Sequence, residues 1–358
     1  MGPGTGGAAM PESGKAPKVT LIMPAYNAAA YISASVRSVL DQSFRDWELI
    51  VVNDGSGDDT GRILTTLSDG DARLRPMTVE NGGPALARNR GLAAVKPGTE
   101  YIMFLDADDA LAPDALEYAL SGAEDGAELV IFGFSILGAD GSRRDYSEPE
   151  QLLSRSEFGA RFAGLYKANL LNQVWGKLYK AELLLDNGIL FQDCRWGEDR
   201  LFIFDCLAHM QLVRILPECK YRYIMHRGES LITRFYDRKF SICLEIDRQA
   251  EALCASFGVD EQADFRYMFA KSVFSCLTNL FSASCLLSKE EKRAVAEGII
   301  RDERVLRRCR NVSGGLAPKL LCAVLRSGSV GLNLFVFRLV ALAGRAAPRL
   351  FTALKHRK

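Results

Sequence analysis

From Lys18 to Ile136 short apolar runs alternate with stretches whose apolar residues recur every three or four positions, the signature of β-α-β units building a mostly parallel sheet. Val19 to Met23 reads as the first buried strand. Residues 28–42 place Ile32, Val36, Val39 and Leu40 on one face of a helix. Leu49 to Val52 is a second strand, ending in the turn formers Asn53-Asp54-Gly55-Ser56. Thr60 to Leu67 fits a helix and Leu74 to Val79 a third strand. Asn81-Gly82-Gly83-Pro84 sets proline at a first helical position and predicts a helix from Ala85 to Val95. Tyr101 to Leu105 is the next buried strand, stopped by Asp106-Ala107-Asp108-Asp109; Pro113 opens a helix to about Gly122, and Leu129 to Ile136 is a further strand. Right-handed crossovers bring the carboxyl ends of these strands to one edge, where open α/β sheets bind ligands.

Gly138 to Pro149 is charged and poor in apolar residues, as a surface loop or boundary would be. Residues 150–235 return to mixed structure, with Trp175, Tyr179 and Leu183 in one apolar pattern, and beyond Phe240 helical periods dominate. The organisation expected is a disordered leader over 1–17, an α/β domain over 18–235 and a helical region over 236–358. With 358 residues, 48% of them hydrophobic, the chain can bury a substantial core. A net charge of +1 gives no electrostatic footprint for nucleic acid, so no nucleic-acid partner is expected. Nine cysteines, scattered from Cys194 to Cys322 without a CxxC pair, point to neither a disulfide framework nor a zinc ribbon, and a reducing cytoplasm is the compartment expected. The leader holds no apolar core of signal-peptide length. Gly14-Lys15 is not a P-loop, because Ala9 and Ala16 stand where glycine and Ser/Thr are required and no strand precedes them.

The strongest chemical signal is Tyr101 to Asp109, YIMFLDADD, a buried strand that delivers carboxylates at i and i+2 to the ligand edge. Hard divalent cations such as Mg2+ and Mn2+ take carboxylate oxygens, retain waters and bridge to substrate phosphates, so the pattern points to a diphosphate site. A solvated acidic turn capping the helix at Pro113 is the plainer alternative. A phosphohydrolase, whose aspartate nucleophile also follows an apolar strand, would need Ser/Thr and Lys motifs that find no place here. Pro24-Ala25-Tyr26-Asn27 and Asn53-Asp54-Gly55-Ser56 put an aromatic ring, two amides and a carboxylate where a base can stack and a base or ribose can be hydrogen-bonded. Each alone reads equally as turn chemistry. Arg88, about one turn into the helix after Gly83, can reach a ligand at that helix end or pair with a loop carboxylate.

In order, PAYN (24–27), VVNDGSGDDT (51–60), GGPALARNRG (82–91) and YIMFLDADD (101–109) resemble glycosyltransferase family 2 over about residues 18–235. The resemblance implies an α/β fold of the GT-A type: a Rossmann-like, mostly parallel sheet flanked by helices, with a C-terminal helical appendage. It implies an inverting transferase moving a sugar from a nucleotide-sugar donor, UDP before dTDP or GDP, to a hydroxyl of a glycan or lipid-linked acceptor in cell-surface polysaccharide synthesis. Pro24, Ala25, Tyr26, Asn27, Asp54 and Arg88 are implied in nucleotide binding. Asp106 and Asp108 match the DxD pair, the first near the ribose or a metal-bound water, the second the ligand of Mn2+ or Mg2+.

Trp196 to Phe202, WGEDRLF, resembles the family's ED segment. An acceptor hydroxyl is a poor nucleophile at neutral pH, and a carboxylate beside it takes its proton during attack. Asp199 matches the family base; Glu198 is the other candidate, or orients Asp199 or binds acceptor. The structural alternative is that two acids favour the N-terminus of a helix from Leu201 to Ala208, worth up to about 1 kcal/mol. Tyr221 to Thr233 is similar to the family's segment that closes on the donor diphosphate, which implies His226 as a third metal ligand and Arg227 and Ser230 as phosphate contacts. A histidine of purely structural role is the alternative. Gln173 to Tyr179 resembles an acceptor-side segment, with Gly176 where family members often carry Asn.

Residues 318–358 place Leu332, Phe335, Val336, Leu339, Leu342 and Ala343 along one helical face and Arg338, Arg345, Arg349 and His356 on another. A basic amphipathic helix of this kind suits peripheral attachment to an anionic membrane, at the inner face of the cell membrane for a cytoplasmic protein; packing on the catalytic domain is the alternative. The charge at Arg338 and the glycines argue against a spanning helix, which needs ~20 predominantly apolar residues. The competing function class is a non-catalytic sugar-nucleotide-binding protein of the same fold. Asp108 and Asp199 together favour the enzyme, since a binder has no use for a base.

Overall fold

The structure, a computed structural model, describes residues 15–226, 235–260, 263–310, 312 and 315–346. Strands β1 (Val19–Ala25), β2 (Trp47–Asp54), β3 (Leu74–Val79) and β4 (Tyr101–Phe104) alternate with helices α1 (Ile32–Leu40), α2 (Thr60–Ser68) and α3 (Pro84–Ala93). Then come β5 (Ala110–Leu111), α4 (Ala115–Ser121), β6 (Leu129–Leu137), β7 (Arg143–Tyr146), β8 (Gln151–Ser154), α5 (Arg155–Lys167), β9 (Lys177–Lys180), α6 (Ala181–Leu185), α7 (Glu198–His209) and β10 (Leu212–Ile224). The remaining described elements are helices: α8 (Lys239–Ser256), α9 (Ala263–Asn279), α10 (Lys289–Arg301), α11 (Glu303–Arg308), α12 (Leu316–Arg326) and α13 (Val330–Ala346). The chain forms two compact units. Of the described residues, the first holds those up to Ser154 with Gln173–Gln192 and His209–Met225; the second holds Arg155–Asn172, Asp193–Ala208 and those from His226 onward.

The first unit is built on a ten-stranded, mostly parallel sheet of order β3-β2-β1-β4-β9-β6-β10-β5, with β7 paired to β6 and β8 to β10. β1 lies parallel between β2 and β4, and β10 runs parallel to β6, while β9 is antiparallel to both β4 and β6. Helices cover the central strands, which is why β2 is buried along its whole length and its centre, Leu49 to Val52, reads as a continuous apolar run rather than an alternation. Ile32, Val36 and Val39 of α1 are fully buried, each worth roughly 1.5–3 kcal/mol relative to exposure. α3 lies so close on β1 that a Cβ at Gly91 would stand 2.4 Å from Ile22 Cγ2, so glycine is required there.

In the first unit, three departures from the sequence expectation each follow from a tertiary contact. α1 starts at Ile32 rather than near Ala28, because Asn27 has φ +48° and the amides of Ala28 and Ala29 are held by Thr60 Oγ1 and Asp58 Oδ2. α4 starts at Ala115 rather than Pro113, because Ala110 and Leu111 pair with Arg222 and Tyr221 of β10 and Gln42 Oε1 accepts the Leu116 amide. The charged stretch expected as a loop folds back as β7 on β6, with Phe134 and Tyr146 stacked at 4.8 Å.

The second unit is helical among its described residues. Its core gathers Phe269, Val273 and Leu277 of α9, Ile299 and Ile300 of α10, Leu325 of α12 and Phe337 of α13. Phe162 of α5 packs against Phe257 and Phe265 at 5.7 and 4.9 Å, which draws that helix into this unit despite its place in the sequence. Ser288 and Glu291 form a reciprocal capping box at the start of α10, and Asp302 caps α11. Inside the unit Asp247 of α8 binds Arg308 at 2.9 Å and Arg304 at 3.0 Å, and both Asp247 and Arg308 are almost wholly shielded from solvent. Removing one member of a buried ion pair leaves an uncompensated charge. Asp247→Ala is therefore expected to destabilise the protein by roughly 3–5 kcal/mol, read as a lowered denaturation midpoint, with part recovered in the Asp247→Ala/Arg308→Leu double variant.

Candidate active site

The loops after β1 and β2 and before α3 are locked to one another by side chains that bond backbone amides. Asn27 donates its amide to Ser56 Oγ at 3.0 Å and accepts from the Gly57 amide on Oδ1 at 2.9 Å. Asp54 is 3% exposed, and its two carboxylate oxygens accept the amides of Gly82 at 2.9 Å and Gly83 at 2.8 Å. Asn81 Nδ2 closes the same loop by donating to the Asp54 carbonyl. Asp58, read from the sequence only as part of a motif string, accepts from the Thr60 hydroxyl and from the amides of Thr60 and Ala29; these bonds, the hydroxyl first, hold its carboxyl below the usual range. Pro24 and Ala25 end β1, and the Tyr26 side chain that follows is 56% exposed, an open aromatic face at the strand edge. This edge thus carries a tyrosine, an asparagine and backbone amides fixed by side-chain acceptors.

The turn after β4 brings three aspartates together. Asp108 is exposed, Asp106 half-buried and Asp109 buried. Arg88 of α3 is 4% exposed and binds Asp106 Oδ1 at 2.9 Å, with its guanidinium 5.3 Å from the Phe191 ring. Of the two readings of Arg88 the structure displays the ion pair with a loop carboxylate. Asp109, which the sequence reading passed over, anchors the turn: Tyr221 donates its hydroxyl to Oδ2 at 2.6 Å and Ile224 its amide to Oδ1 at 2.8 Å. The Asp106 amide donates to the same Tyr221 oxygen. Burial, then the charges of Asp106 and Asp108, push the Asp109 carboxyl well above its ordinary value. Burial and the same three aspartates push Tyr223 up to about 12. Tyr221 is stacked on Trp175 at 4.3 Å, so the segment expected on the acceptor side backs this turn from within the sheet. Gly176 has φ +68°, and buried Lys177 turns its ammonium onto the carbonyls of Gln173 and Trp175.

The donor set at this turn consists of hard carboxylate oxygens, which suits Mg2+ or Mn2+. Asp106 and Asp108 are the residues of the turn that could hold one. Among the described residues no group of three or more His, Cys, Asp and Glu is assembled for a metal. His226 is half-buried and belongs to the second unit, directly before residues that are not described. Arg227 and Ser230 lie outside the described residues, as do Arg349 and His356 of the tail.

In the second unit Glu198 and Asp199 occupy the first turn of α7, which begins three residues earlier than the apolar pattern indicated. Both are half-buried. The approach of the chain is fixed by Gly197, at φ +85°, where a Cβ would meet Ile246 and Ile242 of α8 at 2.8 and 3.0 Å. Trp196 is flanked by cations, with the Arg200 guanidinium 4.4 Å and the Lys239 ammonium 5.2 Å from its ring. Burial, then the charge of Glu198, pushes the nearby Cys194 thiol up to about 11.

A Rossmann-like sheet with a carboxylate-bearing turn at the end of a central strand defines an α/β protein of the GT-A type. The model of the family described as "Glycosyl transferase family 2" matches residues 20–199, and the chain belongs to that family. It is 32% identical over 212 residues to the "Uncharacterized glycosyltransferase EpsJ" of Bacillus subtilis, a match spanning 58% of this chain and 61% of that protein's length. It is 40% identical over 131 residues, 36% of this chain and 51% of the relative, to the "Putative teichuronic acid biosynthesis glycosyltransferase TuaG" of the same organism. Among solved structures it is similar to residues 1–349 of S. aureus TarS in complex with UDP-GlcNAc, with a TM-score of 0.63, 20% identity and 92% of each chain covered.

The two Asp54 bonds give a direct test of how the strand-edge loops are held. Asp54→Asn turns one acceptor into a donor facing a backbone amide, whichever way the new side chain is placed. A stability loss of about 1–3 kcal/mol is expected, with faster amide exchange at Gly82 and Gly83; unchanged exchange there would show that the carboxylate does not organise the loop.

Proposed function

We propose that the chain is an inverting, metal-dependent glycosyltransferase that moves a sugar from a nucleotide-sugar to an acceptor hydroxyl in cell-surface polysaccharide synthesis. The observation that carries the reading is the turn Asp106–Asp109, where an exposed carboxylate and a half-buried one stand at the carboxyl end of β4 on a buried anchor. Tyr26 stacks on the base of the donor, and Asn27 with the Asp54-organised loop lines its base and ribose. Asp106, held by Arg88, faces the ribose or a metal-bound water, and Asp108 is the main ligand of the Mn2+ or Mg2+. When bound, that cation neutralises charge on the departing diphosphate and so stands in for a general acid. Arg227 and Ser230 contact the phosphates, and His226 is a further candidate ligand.

Asp199 takes the proton of the acceptor hydroxyl while that oxygen attacks the anomeric carbon. The bond to the nucleoside diphosphate breaks on the opposite side, and the configuration inverts. Glu198 orients Asp199 or binds acceptor. Support for the base comes from the WGEDRLF motif and from the family match, which runs through Asp199. UDP is the first nucleotide to try, in line with the UDP-GlcNAc complex of TarS, and the relative named for teichuronic acid synthesis favours a glycan or lipid-linked acceptor. We place the reaction in the cytoplasm, a reducing compartment that suits a chain of nine scattered cysteines without a CxxC pair.

The discriminating experiment is release of nucleoside diphosphate from a panel of UDP-, dTDP- and GDP-sugars, with and without acceptor. Asp199→Asn is expected to lower transfer by about 100-fold or more while donor affinity stays the same. Equal activity in that variant would remove Asp199 from the mechanism, and absence of turnover with every donor would leave the non-catalytic binder standing. Asp108→Asn or chelation is expected to abolish turnover and weaken donor binding together; turnover that persists under chelation contradicts the metal role.

A further inference from the structure

The C-terminal helices α12 and α13 carry a feature that the core of their unit does not explain. Along α13, Val330, Asn333 and Phe337 are buried on one face, while Leu332, Phe335, Leu339 and Leu342 are exposed on the other, Phe335 by 61%. Their 3-4-3 spacing makes a continuous apolar stripe turned to solvent. α12 adds Leu316 and Leu320, exposed by 74% and 57%. Asn333 Nδ2 donates to the Val324 carbonyl at 2.9 Å and fastens the two helices together. Scattered exposed leucines are ordinary, but an ordered stripe of this length marks a contact surface.

Charge identifies what that surface meets. Residues 309–358 hold nine Lys and Arg and no Asp or Glu; against a chain total of 45 basic and 44 acidic residues, residues 1–308 hold 36 basic and 44 acidic. Arg304 and Arg308 are occupied by Asp247 and Glu251 and lie outside this count. Arg310, Lys319, Arg326 and Arg338 are exposed on or beside the two helices. A second copy of the chain would bring two acid-free basic segments face to face, which like-charge repulsion opposes. An anionic bilayer offers both the negative charge and an apolar interior. No helix among the described residues is long and apolar enough to cross a membrane, so the contact is one of lying on the surface.

We infer that the exposed stripe of α13, with Leu316 and Leu320 of α12 and their flanking basic side chains, is a docking surface for an anionic lipid bilayer. The test is sedimentation of the full chain with phosphatidylcholine vesicles that contain or lack phosphatidylglycerol. Binding is expected to be about tenfold tighter or more on the anionic vesicles and to fall as salt is raised. Phe335→Ser/Leu339→Ser is expected to weaken it by about tenfold or more, and Arg326→Glu/Arg338→Glu to do so with the apolar stripe intact, both at unchanged helicity and thermal midpoint. Failure of the wild type to sediment, equal binding to neutral vesicles, or unchanged binding in both variants overturns the proposal. So does a lipid-free dimer that Phe335→Ser/Leu339→Ser converts to monomer, since the stripe then belongs to a second copy. The assay reads lipid binding alone, so its outcome is separate from that of the transfer reaction.

Discussion

A buried carboxylate, Asp109, organises the end of the sheet. It lies beside two other aspartates in a position shielded from water, where ionisation is disfavoured both by lost solvation and by like charge. A fold under no other demand would place an apolar residue there. The group is tolerated because Tyr221 and Ile224 donate to its two oxygens, and those donors belong to β10, more than a hundred residues further along the chain. The same bonds bring the end of β10 beside the turn and allow Ala110 and Leu111 to pair with it as β5. Local cost in electrostatics thereby becomes precision in where Asp106 and Asp108 stand, the pattern expected where function sets the residues.

The neighbouring loops follow the same logic with fewer charges. Strand ends leave backbone groups without sheet partners, and in this protein side chains supply them: Asp54 for Gly82 and Gly83, Ser56 for Asn27, Thr60 for Ala28, Asp58 for Ala29. The acceptors are short side chains, which lose little rotamer freedom when fixed. Loops tied in this way keep one shape before a ligand arrives, so binding does not have to bear the entropy of ordering them.

Much of this was legible in the sequence because it depends on local periodicity. The apolar runs marked β1 to β4 and β6, the 3-4 spacing marked α1, and the two carboxylates after Tyr101–Phe104 stood out against a strand that could only be buried. What escaped was set by partners distant in the chain. Asp109 had no signal of its own beside Asp106 and Asp108, since nothing near it announces Tyr221. β5 is two residues long and exists only as a partner of β10, and β7 is exposed and charged, so neither has an apolar pattern to read. The grouping of Arg155–Asn172 and Asp193–Ala208 with the C-terminal helices was equally invisible, because it follows from aromatic contacts such as Phe162 on Phe265 rather than from continuity of the chain.

The Arg88 pair bears on the roles proposed for the two aspartates of the motif. A carboxylate oxygen already bound to a guanidinium has given up much of its negative potential, and it is a weaker ligand for a hard cation than one facing water. Asp106 has Oδ1 engaged in this way and its carbonyl accepting from Ser35, so it is held on the protein side of the turn. Asp108, two residues on, is the more exposed of the pair. The division is unequal by construction: one carboxylate oriented by a buried arginine, suited to a hydroxyl or a bound water, and one presented outward, suited to a metal. That asymmetry arises from α3 packing tightly on β1 through Gly91, which brings Arg88, a residue of the same helix, to the edge where β4 ends.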